Sequence, residues 1–241
     1  MLKLALFNSL SGGNLRIITL GCGYIGSVLA VELANALPEA QITISDTNLS
    51  KVQEIHGRIG KDNVFHIQLD LSNREELVRA LKGFDLVIGL APGRLGYTTV
   101  KATIETGLDM VDLSYMPEDP LALNEEALEA GITMIPDCGF APGLSNILVG
   151  RAASLLDEVY ETKILVGGIP EKPIPPLEYK VTWCVEDLIE EYVRKARIVK
   201  DGQVIEVEAL DGLEEVSFPG IGRLEAFYTD GVRTLHHTLR G

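Results

Sequence analysis

Three glycines near the start of the chain are spaced for binding a phosphate group. Gly21, Gly23 and Gly26 form a G-x-G-x-x-G pattern between a β-branched apolar run and a helical stretch. In such a pattern the first glycine permits a tight turn, the second lets the backbone approach a pyrophosphate, and the third lets helix and strand pack closely. Tyr24 and Ile25 open the helix, whose N-terminal N–H groups and dipole attract phosphate. We therefore expect a dinucleotide here.

Acidic and small residues follow the next predicted strands. Asp46 ends the second strand, 20 residues after Gly26, where a carboxylate accepts hydrogen bonds from ribose hydroxyls and repels a 2′-phosphate. No arginine or lysine follows it immediately, so the expected cofactor is NAD, with NADP less favoured. Asp70 is expected near the adenine, or else only forms a turn. Ala91 and Pro92 are expected beside the nicotinamide ribose. The alternative for the whole pattern is a tight strand–helix corner with a solvated aspartate.

Alternating strand and helix patterns position these residues. Strands are predicted at 15–20, 41–45, 64–69, 85–90, 110–113 and 133–135, with helices between them. Gly107 and Gly131 lie where helix C-caps belong. Apolar strands separated by helices predict an α/β fold with a Rossmann-type doubly wound parallel sheet over residues 1–140. Residues 1–13 are expected to form a loose extension.

The pattern changes after residue 140. A helix is predicted at 144–156, a strand at 159–166 and a hairpin around Asp201-Gly202, separated by a proline-rich loop at 167–176. We therefore predict a smaller α+β domain over residues 141–241.

The composition narrows the class of protein. The 241 residues are 46% hydrophobic and 23% charged, which excludes a disordered chain, a collagen-like repeat and a disulfide scaffold. The net charge of −14 argues against nucleic acid and an anionic membrane surface as partners. Three separated cysteines without C-x-x-C spacing favour a reducing, cytoplasmic compartment and indicate no metal site.

Two further segments carry specific patterns. They are DCGFAPGLSN at 137–146 and PPLEYKVTW at 175–183, and DLSY at 112–115 accompanies them. Together with the glycine pattern, these segments resemble the saccharopine dehydrogenase-like family of amino-acid oxidoreductases, over most of the chain from about residue 15. Within the family the lysine 6-dehydrogenase branch is the most similar.

The resemblance implies NAD(P)-dependent oxidation of a carbon that bears nitrogen in a lysine-like amino acid. Hydride would pass to the nicotinamide, and water would hydrolyse the resulting imine. One alternative is the saccharopine or carboxynorspermidine dehydrogenase type of reductase, which forms or cleaves a secondary amine. The other is an NAD-binding fragment without activity.

Such chemistry needs a base, because a substrate ammonium with a pKa near ~10.4 must lose a proton before hydride transfer. Asp112, Tyr115 and Asp137 are candidates at strand carboxyl ends, where α/β sites collect. Lys180 is another candidate if burial lowers its pKa. The two aspartates could instead cap helices, and the lysine could be an ordinary strand lysine.

The rest of the substrate needs a cation and an apolar wall. Arg194, the lysine just named and the helix start at 142–144 are candidates for its carboxylate. Tyr179 and Trp183 could enclose its aliphatic stem, and Asn146 of the matched segment is counted with them as substrate-binding.

Family members are typically longer than this chain, so we expect a shortened second domain. Apolar surface left uncovered there would favour homo-oligomerisation through that domain. The expected partners are therefore a small amino-acid substrate and further copies of the chain.

Overall fold

The computed structural model describes residues 15–172, 174–176, 179–181 and 183–239. The chain divides into two compact units, Met1–Cys138 and Gly139–Gly241. The extension predicted at residues 1–13 lies outside the described residues, as do positions 177, 178 and 182 of the second matched segment and positions 240 and 241.

The first unit alternates strands and helices. Its strands are β1 (Arg16–Leu20), β2 (Gln41–Asp46), β3 (Val64–Gln68), β4 (Leu86–Gly89), β5 (Asp109–Asp112) and β6 (Met134–Ile135). Its helices are α1 (Tyr24–Ala36), α2 (Leu49–Ile59), α3 (Arg74–Leu81), α4 (Gly93–Thr106) and α5 (Asn124–Ala130), with a 3₁₀ helix at Pro120–Leu123. All strand pairs are parallel, in the order β3-β2-β1-β4-β5-β6. This is the doubly wound dinucleotide-binding order, so the predicted fold is confirmed.

Strand β1 lies in the middle of the sheet because its side chains are apolar on both faces. Ile18 and Leu20 are fully buried with Leu77 and Leu81 of α3 on one face, and Ile17 packs in a second cluster with Ala34 of α1. Both faces of the sheet are therefore covered, as continuous apolar strands require. The carboxyl ends of β1 and β4 meet at one edge, since β1 pairs with both β2 and β4.

Two of the predicted helix C-caps in this unit are glycines. Gly107 and Gly131 close α4 and α5 with φ of 69° and 68°, the left-handed conformation that favours glycine. The two predicted C-caps are confirmed.

In its described residues, the second unit holds three helices and two hairpins. The helices are α6 (Leu144–Ala153), α7 (Val185–Val193) and α8 (Leu235–Thr238), and the antiparallel pairs are β7 (Ala196–Lys200) with β8 (Gln203–Val207) and β9 (Glu214–Phe218) with β10 (Gly222–Ala226). Asp201 and Gly202 both have positive φ, 51° and 74°, so the predicted hairpin turn is confirmed.

One predicted strand of the second unit is wrong. Residues 159–166 form no strand, and Val159, Leu165 and Val166 are exposed. Among the described residues of 157–172, no N–H or C=O group pairs with another backbone group. The helix predicted to run to residue 156 ends earlier, at Ala153.

The apolar core is distributed unevenly. Of the buried apolar residues in the described chain, all except Ala196 and Leu235 lie in the first unit. Over the same residues, no helix is long and apolar enough to cross a membrane.

Candidate functional site

The three glycines of the loop after β1 have different surroundings. A Cβ on Gly21, whose φ is +122°, would lie 2.8 Å from the carbonyl oxygen of Leu90. A Cβ on Gly26 would lie closer than 3.0 Å to the carbonyl oxygen of Gly21. A Cβ on Gly23, by contrast, would meet no atom within 4 Å. Gly21 and Gly26 therefore serve internal packing, whereas Gly23 leaves open space outside the loop, as close approach by a pyrophosphate requires.

Tyr24 and Ile25 open helix α1 beside that space. They are 81% and 59% exposed, and Gly23 is the N-cap residue, without a side-chain cap. The first N–H groups of a helix lack intrahelical partners. This end of α1 can therefore donate to an anion.

Asp46, at the end of β2, is held against the glycine loop. Its Oδ2 accepts a hydrogen bond from the Cys22 N–H at 3.2 Å, and its Oδ1 accepts one from the Asn48 N–H at 3.1 Å. The Lys51 ammonium lies 3.4 Å from Oδ2. Burial alone would raise the pKa of Asp46, but these two N–H donors and the Lys51 charge lower it. The carboxylate is thus ionised at neutral pH and fixed next to the loop.

Asp70 lies on the far side of Asp46, beyond the end of β3. Its Oδ1 accepts hydrogen bonds from the N–H and hydroxyl of Ser72, at 2.9 and 2.7 Å, so it closes a turn. It also borders an open polar depression of about 290 Å³, whose lining residues are Thr47, Gln68, Asp70 and Glu76. The turn and the predicted contact near an adenine are compatible, and the contact stays a prediction.

The segment after β4 closes on the glycine loop. The Leu90 N–H donates to the Leu20 carbonyl at 3.1 Å, which places Leu90 against Gly21. Ala91 is 5% exposed, and Pro92 is the N-cap residue of α4. The structure thus brings Ala91 and Pro92 to the edge of the sheet that carries the loop.

Asp112 lies at the carboxyl end of β5 and is fully buried. Its Oδ2 accepts hydrogen bonds from the N–H and hydroxyl of Ser114. Gly89 is the neighbour of Asp112 in β4, and a Cβ there would lie within 3.0 Å of Asp112 Oδ1. A Cβ on Gly96 would lie within 3.0 Å of Ser114 Oγ. Two glycines therefore make room for this Asp–Ser pair.

Asp137 and Tyr115 follow the last two strands of the first unit. Asp137 is buried with φ of +54°, a left-handed conformation that aspartate tolerates better than most residues. The Cys138 N–H donates to the Asp112 carbonyl at 2.8 Å, which brings the chain after β6 beside β5. Burial and the Asp112 charge raise the pKa of the Cys138 thiol. Tyr115 is half-buried. The proton-transfer roles of these residues stay predictions.

The matched segment at 137–146 is a compact loop leading into α6. The Gly139 N–H donates to the Pro142 carbonyl at 3.0 Å, and the Leu144 N–H donates to the Gly139 carbonyl at 2.9 Å. A Cβ on Gly143, with φ of +136°, would collide with Gly139. The Asn146 amide lies 3.4 Å from the Thr234 hydroxyl. Gly139 and Gly143 are thus explained by the tight packing of this loop. The substrate role of Asn146 stays a prediction.

Three of the other predicted substrate residues lie in the irregular segment before α7, and Arg194 directly follows that helix. Lys180 is exposed, and Tyr179 and Trp183 are half-buried. The Arg194 guanidinium pairs with Glu190, four residues earlier in the chain, at 3.3 Å. In the described part of the chain, no three His, Cys, Asp or Glu side chains gather as a metal site.

Two family models match the chain. One is described as the saccharopine dehydrogenase NADP binding domain and matches residues 17–135; the other is the saccharopine dehydrogenase C-terminal domain and matches residues 139–239. The chain belongs to the saccharopine dehydrogenase family.

Individual members of the family are similar over most of this chain. The alpha-aminoadipic semialdehyde synthase of Mus musculus is 29% identical, over 94% of this chain and 26% of the relative. The NADP(+), L-glutamate-forming saccharopine dehydrogenase of Schizosaccharomyces pombe is 28% identical, over 82% of this chain and 45% of the relative. The chain thus spans less than half the length of these two curated relatives.

A solved structure of the family shares the fold. The apo saccharopine dehydrogenase (L-Glu forming) of Saccharomyces cerevisiae matches with a TM-score of 0.66 and 22% identity. The match covers 93% of this chain and 52% of that chain.

Sequence reasoning missed three residues at this site of the family fold. Gly89 and Gly96 accommodate the Asp112–Ser114 pair, and Lys51 lies against Asp46. The register of β4 against β5 reveals Gly89 only after the sheet is known. Lys51 could be identified from the sequence, because residues in the first turn of a helix lie close to the end of the strand that precedes it.

Proposed function

We propose that this chain binds NAD and takes part in oxidising a nitrogen-bearing carbon of a lysine-related amino acid. The observation that carries the proposal is the ionised Asp46 carboxylate held against a glycine loop with open space at Gly23. This is the arrangement that a dinucleotide's ribose and pyrophosphate require.

The residues present fit such a cofactor, which, when bound, supplies a nicotinamide ring that accepts hydride. Gly23 and the N-terminus of α1 would hold the pyrophosphate, Asp46 would orient the adenosine ribose, and Ala91 and Pro92 would border the nicotinamide side. The buried Asp112 would sit near the proton that the substrate amine must release. For a primary amine the balance is R-CH₂-NH₃⁺ + NAD⁺ + H₂O → R-CHO + NH₄⁺ + NADH + H⁺.

The preference for NAD is our proposal, although the matching family model is named NADP binding. Asp46 is ionised, and two fixed N–H groups hold it in place, so a 2′-phosphate would meet a negative charge that cannot move away. Calorimetric titration of the purified chain with NAD and NADP tests this. We expect tighter binding of NAD, and Asp46→Ser should reduce that preference at least tenfold. Tighter binding of NADP by the unaltered chain would refute the preference, and an unchanged NAD affinity in Asp46→Ser would refute the ribose role.

The substrate branch is tested separately. The loop at 167–176 and the stretch 190–192 resemble the lysine branch, so lysine with NAD is expected to raise absorbance at 340 nm (the assay wavelength). Lys180→Ala should abolish this rise, and Lys172→Ala serves as control. Folded protein that binds NAD but reduces none with lysine would refute this branch.

A second candidate is oxidation of a secondary amine, as in saccharopine. The names of the relatives above favour it. In that case saccharopine, and not lysine, should drive NAD reduction, so both belong in one substrate panel with ornithine and a carboxynorspermidine-type amine. If none of these compounds is oxidised, the chain binds NAD without catalysing a reaction.

The cytoplasmic location stays a prediction. We also propose that copies of the chain associate through the second unit. Leu144, Ile147 and Leu148 of α6 are exposed, and Leu144 and Leu148 border a depression together with residues 163–166. Exposed apolar patches of this kind mark interaction sites. Light scattering should give a dimer or larger, and Leu148→Glu should dissociate it, whereas Arg151→Glu should not. A monomer at micromolar concentration would contradict the proposal.

A further inference from the structure

Lys51 is placed to act on the same ribose site. It lies in the first turn of α2, and its ammonium is 3.4 Å from Asp46 Oδ2. Its N–H donates to the side chain of Asn48, the N-cap residue, at 3.1 Å, so its backbone is fixed. Its side chain is 42% exposed. The backbone of Lys51 is fixed, but its exposed four-carbon side chain is flexible. The ammonium can therefore change partners near Asp46.

The donors around Asp46 fall into two classes. The Cys22 and Asn48 N–H groups belong to the backbone, at 3.2 and 3.1 Å. The Lys51 ammonium and the Thr47 hydroxyl are side-chain donors at the longer distance of 3.4 Å. A carboxylate offers about four lone-pair sites. The side-chain donors are therefore the ones that ribose hydroxyls can replace.

Lys51 is also the cation whose charge acts on this carboxylate. Arg94, at the start of α4, acts on Asp70 instead. The charge of Arg58 reaches the neighbouring Cys22, but the ammonium in contact with Asp46 is that of Lys51, and it is carried on a flexible side chain.

We infer that Lys51 limits how strongly the chain discriminates against NADP. With NAD, the ammonium gives up its place on Asp46 to a ribose hydroxyl. With NADP, it pairs with the 2′-phosphate and offsets the repulsion from Asp46. The inference rests on the proposed NAD site, and it names a specificity-determining residue of that site.

Calorimetric titration of the full chain with NAD and NADP tests the role of Lys51 without an activity assay. We expect Lys51→Met to weaken NADP binding at least tenfold while the affinity for NAD changes less than about threefold, since about 1.4 kcal/mol corresponds to each tenfold step. Lys51→Arg should retain NADP binding. Lys82→Met, which removes an exposed lysine after α3, should leave both affinities unchanged.

The dependence of cofactor affinity on ionic strength provides a second test of the role of Lys51. The affinity for NADP should fall more steeply with ionic strength than the affinity for NAD, and Lys51→Met should remove the excess. Equal loss of both cofactors in Lys51→Met, or no change in their ratio, would overturn the inference and leave Lys51 as a support of α2. Failure of the unaltered chain to bind either cofactor would instead overturn the proposed function.

Discussion

Gly23 and Gly26 have different surroundings, and the same substitution at each should separate binding from stability. Gly23→Ala adds a methyl group into space with no atom within 4 Å, at a residue with φ of −75°, which alanine adopts readily. Gly26→Ala adds the same methyl group within 3.0 Å of the Gly21 carbonyl oxygen. We expect the first variant to lose cofactor affinity and the second to lose stability.

The magnitudes follow from these surroundings. Gly23→Ala restricts the unfolded chain, which is worth about 0.4–1 kcal/mol, but it places alanine at a helix N-cap, where glycine is preferred by a similar amount, so apo stability should change by less than about 1 kcal/mol. Its methyl group occupies the pyrophosphate's approach, and NAD affinity should fall at least tenfold, or about 1.4 kcal/mol. Gly26→Ala gains up to about 1 kcal/mol of helix propensity but loses about 1–3 kcal/mol to overpacking. Because the contact is to backbone, which cannot rotate away, we expect a net loss of about 1–2 kcal/mol.

Thermal unfolding of the apo chain and calorimetric titration with NAD measure the two effects. Gly26→Ala should lower Tm by roughly 2–8 °C, given about 2–4 °C per kcal/mol for domains of this size. Gly23→Ala should change Tm less than Gly26→Ala does. The reasoning fails if Gly23→Ala binds NAD like the unaltered chain, or if it lowers Tm as much as Gly26→Ala.

Three further substitutions test packing, an ion pair and a turn. Gly89→Ala should destabilise the chain by about 1–3 kcal/mol in urea unfolding, because its methyl group would collide with the buried Asp112 carboxylate; an unchanged unfolding midpoint would contradict this. Asp230→Asn should cost about 1.5–3 kcal/mol at pH 7, since Asp230 accepts two hydrogen bonds from the Arg197 guanidinium, at 2.8 and 2.7 Å. Burial alone would raise the pKa of Asp230 but Arg197 lowers it, so this cost should be full above about pH 5 and shrink as pH falls below about 4; a cost that is constant with pH would exclude the ion pair as its source. Gly202→Ala, at φ of +74°, should cost about 1 kcal/mol in the same unfolding assay, and no loss would argue against the turn.

Local patterns predicted the first unit well. The glycine pattern and Asp46 lie within 30 residues of each other, so a local pattern identifies them. The alternation of strands and helices predicts a parallel sheet, because the crossover between parallel strands is right-handed. The Gly89–Asp112 contact could not be predicted, because it depends on the register between two strands that are 23 residues apart.

The second unit shows where propensity is insufficient. Residues 159–166 are rich in β-formers, but strand formation depends on a partner, and the described chain provides none. The hairpin at Asp201-Gly202 was predictable because its partner strands are adjacent in sequence. Lys51 lies five residues after Asp46, and the residues directly after Asp46 do not reveal it, because the first turn of α2 brings its ammonium back to the carboxylate.

The central position of β1 has a consequence for synthesis on the ribosome. Its partner β2 follows within about 25 residues, but β4, its partner on the other edge, is complete only about 70 residues after β1 ends. At about 5–20 residues per second, one edge of the most buried strand stays open for roughly 3–14 s in each nascent chain. During that interval the chain presents an apolar edge strand to its surroundings. We therefore expect slower translation before residue 90 to increase misassembly, and general chaperones to protect the chain most in that interval.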